Sequence, residues 1–114
     1  MEQTEQLDDV FVALGEPIRR QVIDLLKRGP KRAGEIAEAM GMSAAAMSRH
    51  LRLLRERGLV QEWHVEGGDA RVRLYRLVPY PFQELQGWLE ELAAGWTEEL
   101  ASFKEHAEKK RKRK

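Results

Sequence analysis

Two amphipathic helical patterns with only about three residues between them are the feature that most restricts how this chain can fold. The first pattern has apolar residues at helical spacing, namely Ala33, Ile36, Ala37 and Met40. Gly41 stands at its C-terminal end, and Ser43, a residue type favoured at helix N-caps, precedes the second pattern, which ends at Gly58. Two helices joined by so short a turn predict a helix-turn-helix over about residues 33–57.

The second of these helices has two unlike faces when its residues are placed at intervals of about 100°. Met47, Leu51 and Leu54 lie on one side, which we expect to be buried. The other side carries small and charged residues, namely Ala45, Arg49, Arg52 and Glu56, with Ser48 beside them. Such a face is either a solvated arginine surface on an ordinary core helix or a surface that contacts a partner.

The period of the sequence changes after Gly58. The segments "LVQEWHVE" and "RVRLYRLV" are rich in β-branched and aromatic residues, and "GGD" between them can supply the positive φ angles of a tight hairpin. Arg71 and Arg73 then lie near its tip, where they are either ordinary exposed strand residues or reach past the helix to a partner. A hairpin over about residues 60–78, directly after a helix-turn-helix, forms a winged helix-turn-helix.

Three further helices complete the predicted fold. The first follows the apolar spacing from Leu7 to Leu14 and ends at Gly15, and the second starts at Pro17. After "VPYP" a long helix covers about residues 82–108. We therefore expect a single domain, residues 1–114, that is mainly α with a β-hairpin wing: a winged helix-turn-helix with five helices, the last of them a long C-terminal dimerisation helix.

The C-terminal helix carries an apolar stripe that is longer than one small core can cover. Its members are Phe82, Leu85, Trp88, Leu89, Leu92, Trp96, Leu100 and Phe103. Because large exposed apolar surfaces usually mark interfaces, we interpret the helix as packing with the first helix and its twofold mate, with a ligand pocket as the alternative. The predicted dimer interface consists of Leu7, Phe11, Leu85, Trp88, Leu89, Leu92, Trp96, Leu100 and Phe103.

The charge is unevenly distributed, although the net charge is only +1. Residues 1–15 carry four acids and no bases, residues 16–76 carry thirteen bases against eight acids, and residues 77–114 carry seven of each. A locally basic field favours a polyanionic partner. The basic tail at residues 109–114, "KKRKRK", is either a disordered solubilising end or a segment that contacts phosphates.

The composition argues against several classes of protein. The chain has no cysteine, which excludes disulfides and thiolate metal sites. No apolar run approaches the ~18 to 20 residues of a membrane span, and the acidic start differs from a signal peptide, so we expect a cytoplasmic protein. An enzyme is disfavoured because no Gly-rich phosphate loop and no Ser-His-Asp or metal constellation is present. His64 and His106 are interpreted as surface or hydrogen-bonded residues rather than ligands.

Three segments form a pattern shared with a known family. They are "ALGEPIRRQVIDLLKRG", "AGEIAEAMGMSAAAMSRHLRLLRERGLV" and "GGDARVRLYRLV". Together, over roughly residues 7–80, they resemble the ArsR family of bacterial winged-helix transcriptional repressors. The resemblance implies a homodimer that binds operator DNA and often represses its own operon. Metal-sensing members carry a cysteine pair where this chain has "KRAGEIA", or Asp, His and Glu on the C-terminal helix, which here offers only His106. We therefore expect no metal and no cofactor, and the small-molecule effector, if one exists, is unidentified.

The expected contacts with DNA follow from the size of the major groove. A recognition helix must enter a groove ~12 Å wide, so its leading residues should be small and polar, with cations behind them. The residues that meet this description are Ser43, Ala44, Ala45, Ser48, Arg49 and Arg52. His50 lies at the edge of the buried face, where it is either a DNA contact or part of the core, and Arg71 and Arg73 of the wing are added for phosphates or the minor groove. Two copies related by a twofold axis would place these helices ~34 Å apart on an inverted repeat. The alternative function is a winged-helix module that binds RNA or protein.

Overall fold

The computed structural model describes residues 2–65, 67–69 and 71–112. This part of the chain contains five helices and three short strands, namely α1 Glu2–Leu14, α2 Pro17–Leu26, β1 Lys31–Arg32, α3 Ala33–Ala39, α4 Ala44–Glu56, β2 Val60–Trp63, β3 Leu74–Leu77 and α5 Pro79–Lys112. The mainly helical winged helix-turn-helix that the sequence predicts is confirmed. Residues 113 and 114 of the basic tail lie outside the described residues.

The junction between α1 and α2 is closed by side chains of α2. Pro17 opens α2, at a position where a backbone N–H would have no helical partner. Arg19 Nε donates a hydrogen bond to the carbonyl oxygen of Ala13 at 2.8 Å, and Arg20 donates one to the carbonyl oxygen of Leu14. The last carbonyl groups of a helix have no partner within it, so these two cations cap the C-terminal end of α1.

One hydrophobic core joins the first four helices to the sheet. Its buried members are Val10, Ala13, Val22, Ile23, Leu26, Ile36, Ala37, Met47, Leu51, Leu54, Leu59 and Val60. The buried face of α4 that the sequence predicts is confirmed, since Met47, Leu51 and Leu54 are 0%, 1% and 0% exposed. Burying a side chain of this size contributes about 1.5–3 kcal/mol to folding, so the apolar face fixes α4 firmly on the core.

The sheet has three antiparallel strands in the order β1, β3, β2. β2 and β3 form the wing, with Val60 opposite Leu77 and Trp63 opposite Leu74. β1 consists only of Lys31–Arg32 and pairs with the outer side of β3. The sequence does not predict β1, because a strand of two charged residues has no alternating pattern and is defined only by its pairing with a distant strand.

The connection between β2 and β3 is longer than the tight hairpin that the sequence predicts. β2 ends at Trp63 and β3 begins at Leu74, and the described residues between them, 64–65, 67–69 and 71–73, belong to neither strand. The alternating segments continue further than the strands do, but Val65 is already 52% exposed. Pairing beyond the edge of the core would bury little apolar surface, which explains why the strands end before "GGD".

α5 is longer at both ends than the predicted helix over residues 82–108, since it spans Pro79–Lys112. Its first turn contains two prolines, which cost no hydrogen bond there because the first N–H groups of a helix have no partner. The segment "VPYP" therefore begins the helix and does not separate it from the wing. At 1.5 Å per residue α5 is about 51 Å long, and near its start Phe82 and Leu85 pack against the core.

Replacing Ser43 with alanine is expected to lower the free energy of unfolding by about 1 kcal/mol. Ser43 Oγ accepts a hydrogen bond from the backbone N–H of Ala46 at 3.1 Å, and alanine removes this acceptor from the start of α4. Urea unfolding followed by circular dichroism measures the change. Ser48→Ala is the matched control, because Ser48 is exposed and makes no side-chain hydrogen bond with the described residues. Equal losses in the two variants would contradict the capping role.

Candidate nucleic-acid interface

The turn between α3 and α4 depends on the backbone conformation of Gly41. Its φ of 63° lies in the left-handed region, which favours glycine. The N–H of Gly41 donates to the carbonyl oxygen of Glu38 at 3.2 Å, and the N–H of Met42 donates to that of Ala37 at 2.9 Å. These bonds satisfy the last carbonyl groups of α3, so the chain can leave α3 and begin α4 at Ala44 with no longer connection.

The face of α4 opposite its buried side is open to solvent. Six of the predicted contact residues are exposed there, namely Ser43, Ala44, Ala45, Ser48, Arg49 and Arg52, and His50 is half-buried at the edge of the face. The N-terminal end of α4 therefore presents methyl groups and hydroxyls, so that its backbone can approach a surface closely. Two cations follow along the same face. This combination of shape and charge suits the major groove of duplex DNA.

The arginines of α4 and its C-cap form two pairs with different surroundings. Arg55 donates a hydrogen bond to Glu62 of β2, and Arg57 Nη1 donates one to Asp9 of α1 at 2.8 Å. Arg49 and Arg52 make no side-chain hydrogen bond or ion pair with any residue that the structure describes. Arg55 and Arg57 therefore join the C-terminal end of α4 to neighbouring elements, whereas the charges of Arg49 and Arg52 are exposed to solvent.

The loop of the wing is organised around Asp69. Its carboxylate accepts from the backbone N–H of Arg71 at 2.9 Å and from Arg71 Nε at 3.3 Å, and its carbonyl oxygen accepts from the N–H of Val72 at 3.0 Å. The backbone bond first, and the guanidinium second, lower the pKa of Asp69. A lowered pKa means that the interaction is present at neutral pH and is lost only as the pH falls through that pKa. Arg71 is 91% exposed, with its charge opposed by Asp69.

Two further cations lie where the wing loop joins the strands, beside Leu74 at the start of β3. Arg73 Nη1 is 4.0 Å from Glu62 Oε1, the carboxylate oxygen that also accepts from Arg55, so the structure brings the wing and the C-terminal end of α4 together. Arg32 of β1 is exposed, and its charge also helps to lower the pKa of Asp69. Sequence reasoning missed Arg32, because its place beside the wing depends on the pairing of β1 with β3. The basic "KR" after Gly29 and Pro30 was the only signal for it.

A second exposed surface, the apolar face of α5, lies apart from the basic surface of α4. Phe11 of α1 contacts Trp88 edge to face, with ring centroids 5.5 Å apart. Leu7 and Leu85 are half-buried, and Leu85 packs at the edge of the core. The other predicted interface residues are exposed, namely Phe11, Trp88, Leu89, Leu92, Trp96, Leu100 and Phe103. A contiguous apolar surface of this extent usually marks an interface.

The apolar face of α5 forms an open groove near the core. The groove has a volume of about 370 Å³ and is lined by Phe82, Leu85, Gln86, Leu89, Glu90 and Ala93. A small-molecule site normally encloses most of its ligand, whereas this groove is open along the helix. Its shape therefore suits the side chains of another helix better than a small ligand.

The two histidines considered as ligands lie on separate elements, one in the wing and one on α5. Among the described residues, no cluster of three or more His, Asp and Glu side chains is arranged to hold a metal ion. His64 Nδ1 lies 3.2 Å from the carbonyl oxygen of Val72 within the wing, and His106 is exposed on α5. Within the same part of the chain, none of the helices combines the length and the apolar character that crossing a membrane requires.

Comparison of the sequence with known proteins points to one family. The family model described as "Bacterial regulatory protein, arsR family" matches residues 16–62, from the residue before α2 to the first strand of the wing. The transcriptional repressor SdpR of Bacillus subtilis (strain 168) is 38% identical over 56 residues, which are 49% of this chain and 62% of SdpR. The chain therefore spans less than two thirds of the length of that relative.

Solved structures extend the similarity over most of the chain. The crystal structure of the ArsR family transcriptional regulator RHA00566 is 31% identical, covers 82% of this chain and 93% of that one, and has a TM-score of 0.70. The homodimeric winged helix-turn-helix DNA-binding domain of Mb0332 from Mycobacterium bovis, described as a possible ArsR-family regulator, is 27% identical. It covers 83% of this chain and 84% of that one, with a TM-score of 0.62.

Proposed function

This chain belongs to the ArsR family of bacterial regulatory proteins, and we propose that it is a transcriptional repressor that binds operator DNA as a homodimer. The proposed operator is an inverted repeat, and the promoter of the gene that encodes the chain is one expected site. A related protein is named a transcriptional repressor, and a related domain is homodimeric. Such a regulator acts in the cytoplasm, where bacterial DNA lies, and uses no catalytic residues.

The observation that carries this proposal is the exposed face of α4. Its leading end is small and polar, and Arg49 and Arg52 project behind it without a side-chain partner among the described residues. In the proposed complex Ala44 and Ala45 give clearance and meet thymine methyl groups, and Arg49 donates two hydrogen bonds to a guanine. Ser48 contacts a base or a phosphate, which completes the contacts of the helix.

The wing and the half-buried edge of α4 supply the remaining proposed contacts. Arg71, Arg73 and Arg32 lie on or beside the wing. In the proposed complex they contact phosphates or the minor groove. His50 lies at the border between the core and the exposed face. In the proposed complex it contacts the DNA backbone beside the helix. These contacts add affinity with little sequence preference, so base selectivity rests mainly on Ser48 and Arg49.

The apolar face of α5 supports the dimer. Its exposed side chains continue from the contact between Phe11 and Trp88 to Phe103, which is 75% exposed. Pairing this face with a second copy would bury side chains that the single chain leaves in water. A symmetric dimer also doubles the DNA contacts, because each half of an inverted repeat meets one α4.

Selection from a random pool of DNA duplexes tests the proposed function. We expect the selected sequences to contain an inverted repeat whose half-site centres are about 10 base pairs, or a multiple of this, apart. Binding should weaken steeply as salt rises, because arginine contacts with phosphates release counterions. Competition with an RNA of equal length distinguishes the proposed DNA-binding function from the alternative, an RNA-binding module. Equal affinity for the RNA and for random DNA would contradict the proposal and favour an RNA-binding module.

Replacing Asp69 with asparagine is expected to raise the affinity for the selected duplex about two- to fivefold at low salt. The change removes a negative charge beside Arg71, whereas the amide oxygen still accepts from the backbone N–H that orders the turn. Fluorescence anisotropy at about 50 mM and about 200 mM salt measures the effect, which should shrink at the higher concentration. Glu98→Gln on α5 removes the same charge far along another element and serves as the control. Unchanged affinity in the Asp69 variant would mean that the wing loop does not approach DNA.

A further inference from the structure

We propose that the α5 helices of two copies pair in antiparallel orientation with Trp96 on the twofold axis. The inference rests on the proposed homodimer and specifies the direction and the register of its helices. In this pair the C-terminal part of α5, which extends beyond the core of its own chain, packs against the N-terminal part of the partner's α5, close to the partner's core. Three independent features of α5 support it: the spacing of its apolar residues, its charge distribution and the position of its contact with the core.

The apolar spacing along α5 is symmetric about Trp96. At about 100° per residue one face, an arc of about 80°, contains Leu85, Leu89, Leu92, Trp96, Leu100, Phe103 and Ala107. Steps of four, three and four residues lead from Leu85 to Trp96, and the same steps lead on to Ala107. In a twofold antiparallel pair every apolar residue of this face therefore meets another, with Leu92 opposite the partner's Leu100. An eleven-residue spacing also keeps the stripe on one face of a nearly straight helix.

Trp88 distinguishes this register from the nearest alternative. A register centred on Ala94 would need Trp88 in place of Leu89 in the paired stripe. The ring of Trp88 is already in contact with Phe11 of the same chain, at a centroid distance of 5.5 Å. Leu89 instead lines the open groove of about 370 Å³. In the register centred on Trp96 this groove receives the partner's Phe103, the most exposed of the large apolar side chains in the stripe.

The charges along α5 oppose a parallel pair. Residues 84–99 carry five glutamates and no lysine or arginine, whereas residues 100–112 carry five lysines and arginines against two glutamates. A parallel pair would place the acidic segments beside each other and the basic ends beside each other. The antiparallel pair places residues 100–112 beside residues 80–92 of the partner, which contain three glutamates and no basic residue.

The register also sets the distance between the points at which the two cores contact the paired helices. Leu85 packs at the edge of the core and lies eleven residues before Trp96. The two Leu85 residues of the pair are therefore about 33 Å apart along the helices, at 1.5 Å per residue. This is close to the ~34 Å that separates successive major grooves on one side of a duplex.

Single cysteines test the arrangement, because the chain has none of its own. We expect a mixture of the Leu92→Cys and Leu100→Cys chains to form at least tenfold more disulfide-linked dimer than either chain alone, since a disulfide needs Cα atoms within about 7 Å. Two copies of Leu92 are offset by about 12 Å along the helices in the proposed pair, which is already beyond this limit. Trp96→Cys should link to its own mate, and Ala94→Cys, on the opposite face, is the control that should not link. Both chains of the Leu92→Cys and Leu100→Cys mixture keep Trp96. The result of this mixture therefore does not depend on a variant that has lost the tryptophan side chain.

The outcomes separate this inference from the proposed function. Self-linking of Leu92→Cys would show either a parallel pair or an antiparallel pair centred on Leu92, and both would overturn the inference. Linking of Leu92→Cys to Trp96→Cys, but not to Leu100→Cys, would show the register centred on Ala94 and overturn it equally. Either result, with a dimer in sedimentation equilibrium, leaves the proposed homodimer standing. A parent chain that is monomeric in sedimentation equilibrium and does not bind an inverted repeat would contradict both this inference and the proposed function.

Discussion

Replacing both Leu92 and Trp96 with aspartate is expected to make the chain monomeric and to lower its affinity for operator DNA by about a hundredfold or more. The two side chains are 41% and 62% exposed on the apolar face of α5 and do not belong to the core. In the proposed dimer the substitutions place four carboxylates in a desolvated interface, where an unpaired charge costs several kcal/mol. A monomer presents one α4 to the operator, so it loses the gain from binding two linked half-sites.

The matched control places the same charges on the opposite face of α5. Ala94→Asp with Ala101→Asp introduces two aspartates per chain at exposed positions outside the stripe. Sedimentation equilibrium should find this control dimeric, and fluorescence anisotropy should find its operator affinity within about threefold of the parent, the change expected from added surface charge alone. Circular dichroism checks that both variants remain helical. A dimeric Leu92 and Trp96 variant with parental affinity would place the dimer interface elsewhere.

The helical part of the fold follows from the sequence because its periods are long and regular. The apolar stripe of α4 repeats over several turns. Ser43 marks the start of the helix by side-chain capping, and Gly58 marks its end by a positive φ of 81°. The positive φ of Gly41 likewise allows the short turn before α4. In each of these places the local preference of the residue agrees with the final structure, which is the condition under which sequence patterns predict structure well.

The parts that the sequence does not predict depend on contacts between distant segments. β1 is too short to have a period and exists through its pairing with β3. The alternating pattern of the wing continues past the end of the core, so it cannot show where the strands stop. "VPYP" has the composition of a break, yet its prolines fit the first turn of α5. In all three cases the tertiary surroundings decide what the local pattern leaves open.

The same limit applies to the candidate site. In the sequence, the arginines of α4 and its C-cap are four similar cations along one segment. Their different roles depend on Glu62, which follows in β2, and on Asp9, which lies in α1. Only the folded chain shows that Arg55 and Arg57 have carboxylate partners, so the sequence predicts a basic face but not which of its charges are paired within the described residues.

Replacing Arg49 with alanine is expected to lower the affinity for the selected inverted repeat by about 1–3 kcal/mol per half-site and to remove the preference for one base pair in it. Arg49 is exposed beside Ser48 on the face of α4 that we propose enters the groove, and it has no side-chain partner within the described part of the chain. Its charge therefore needs no rearrangement before it can contact a guanine. Anisotropy titrations with the repeat and with each single-base change at that position measure both effects.

Arg55→Ala is the matched control, because it removes the same side chain from the same helix at a position where the guanidinium is bonded to Glu62. It should cost up to about 1 kcal/mol of unfolding free energy, as exposed ion pairs do, and leave the base preference unchanged. If Arg49→Ala weakens binding equally for every sequence and lowers the salt slope by about one, Arg49 contacts a phosphate and base reading shifts to Ser48 and DNA shape. Equal effects of the two substitutions on base preference would contradict the division of these arginines into an anchored pair and a pair that contacts DNA.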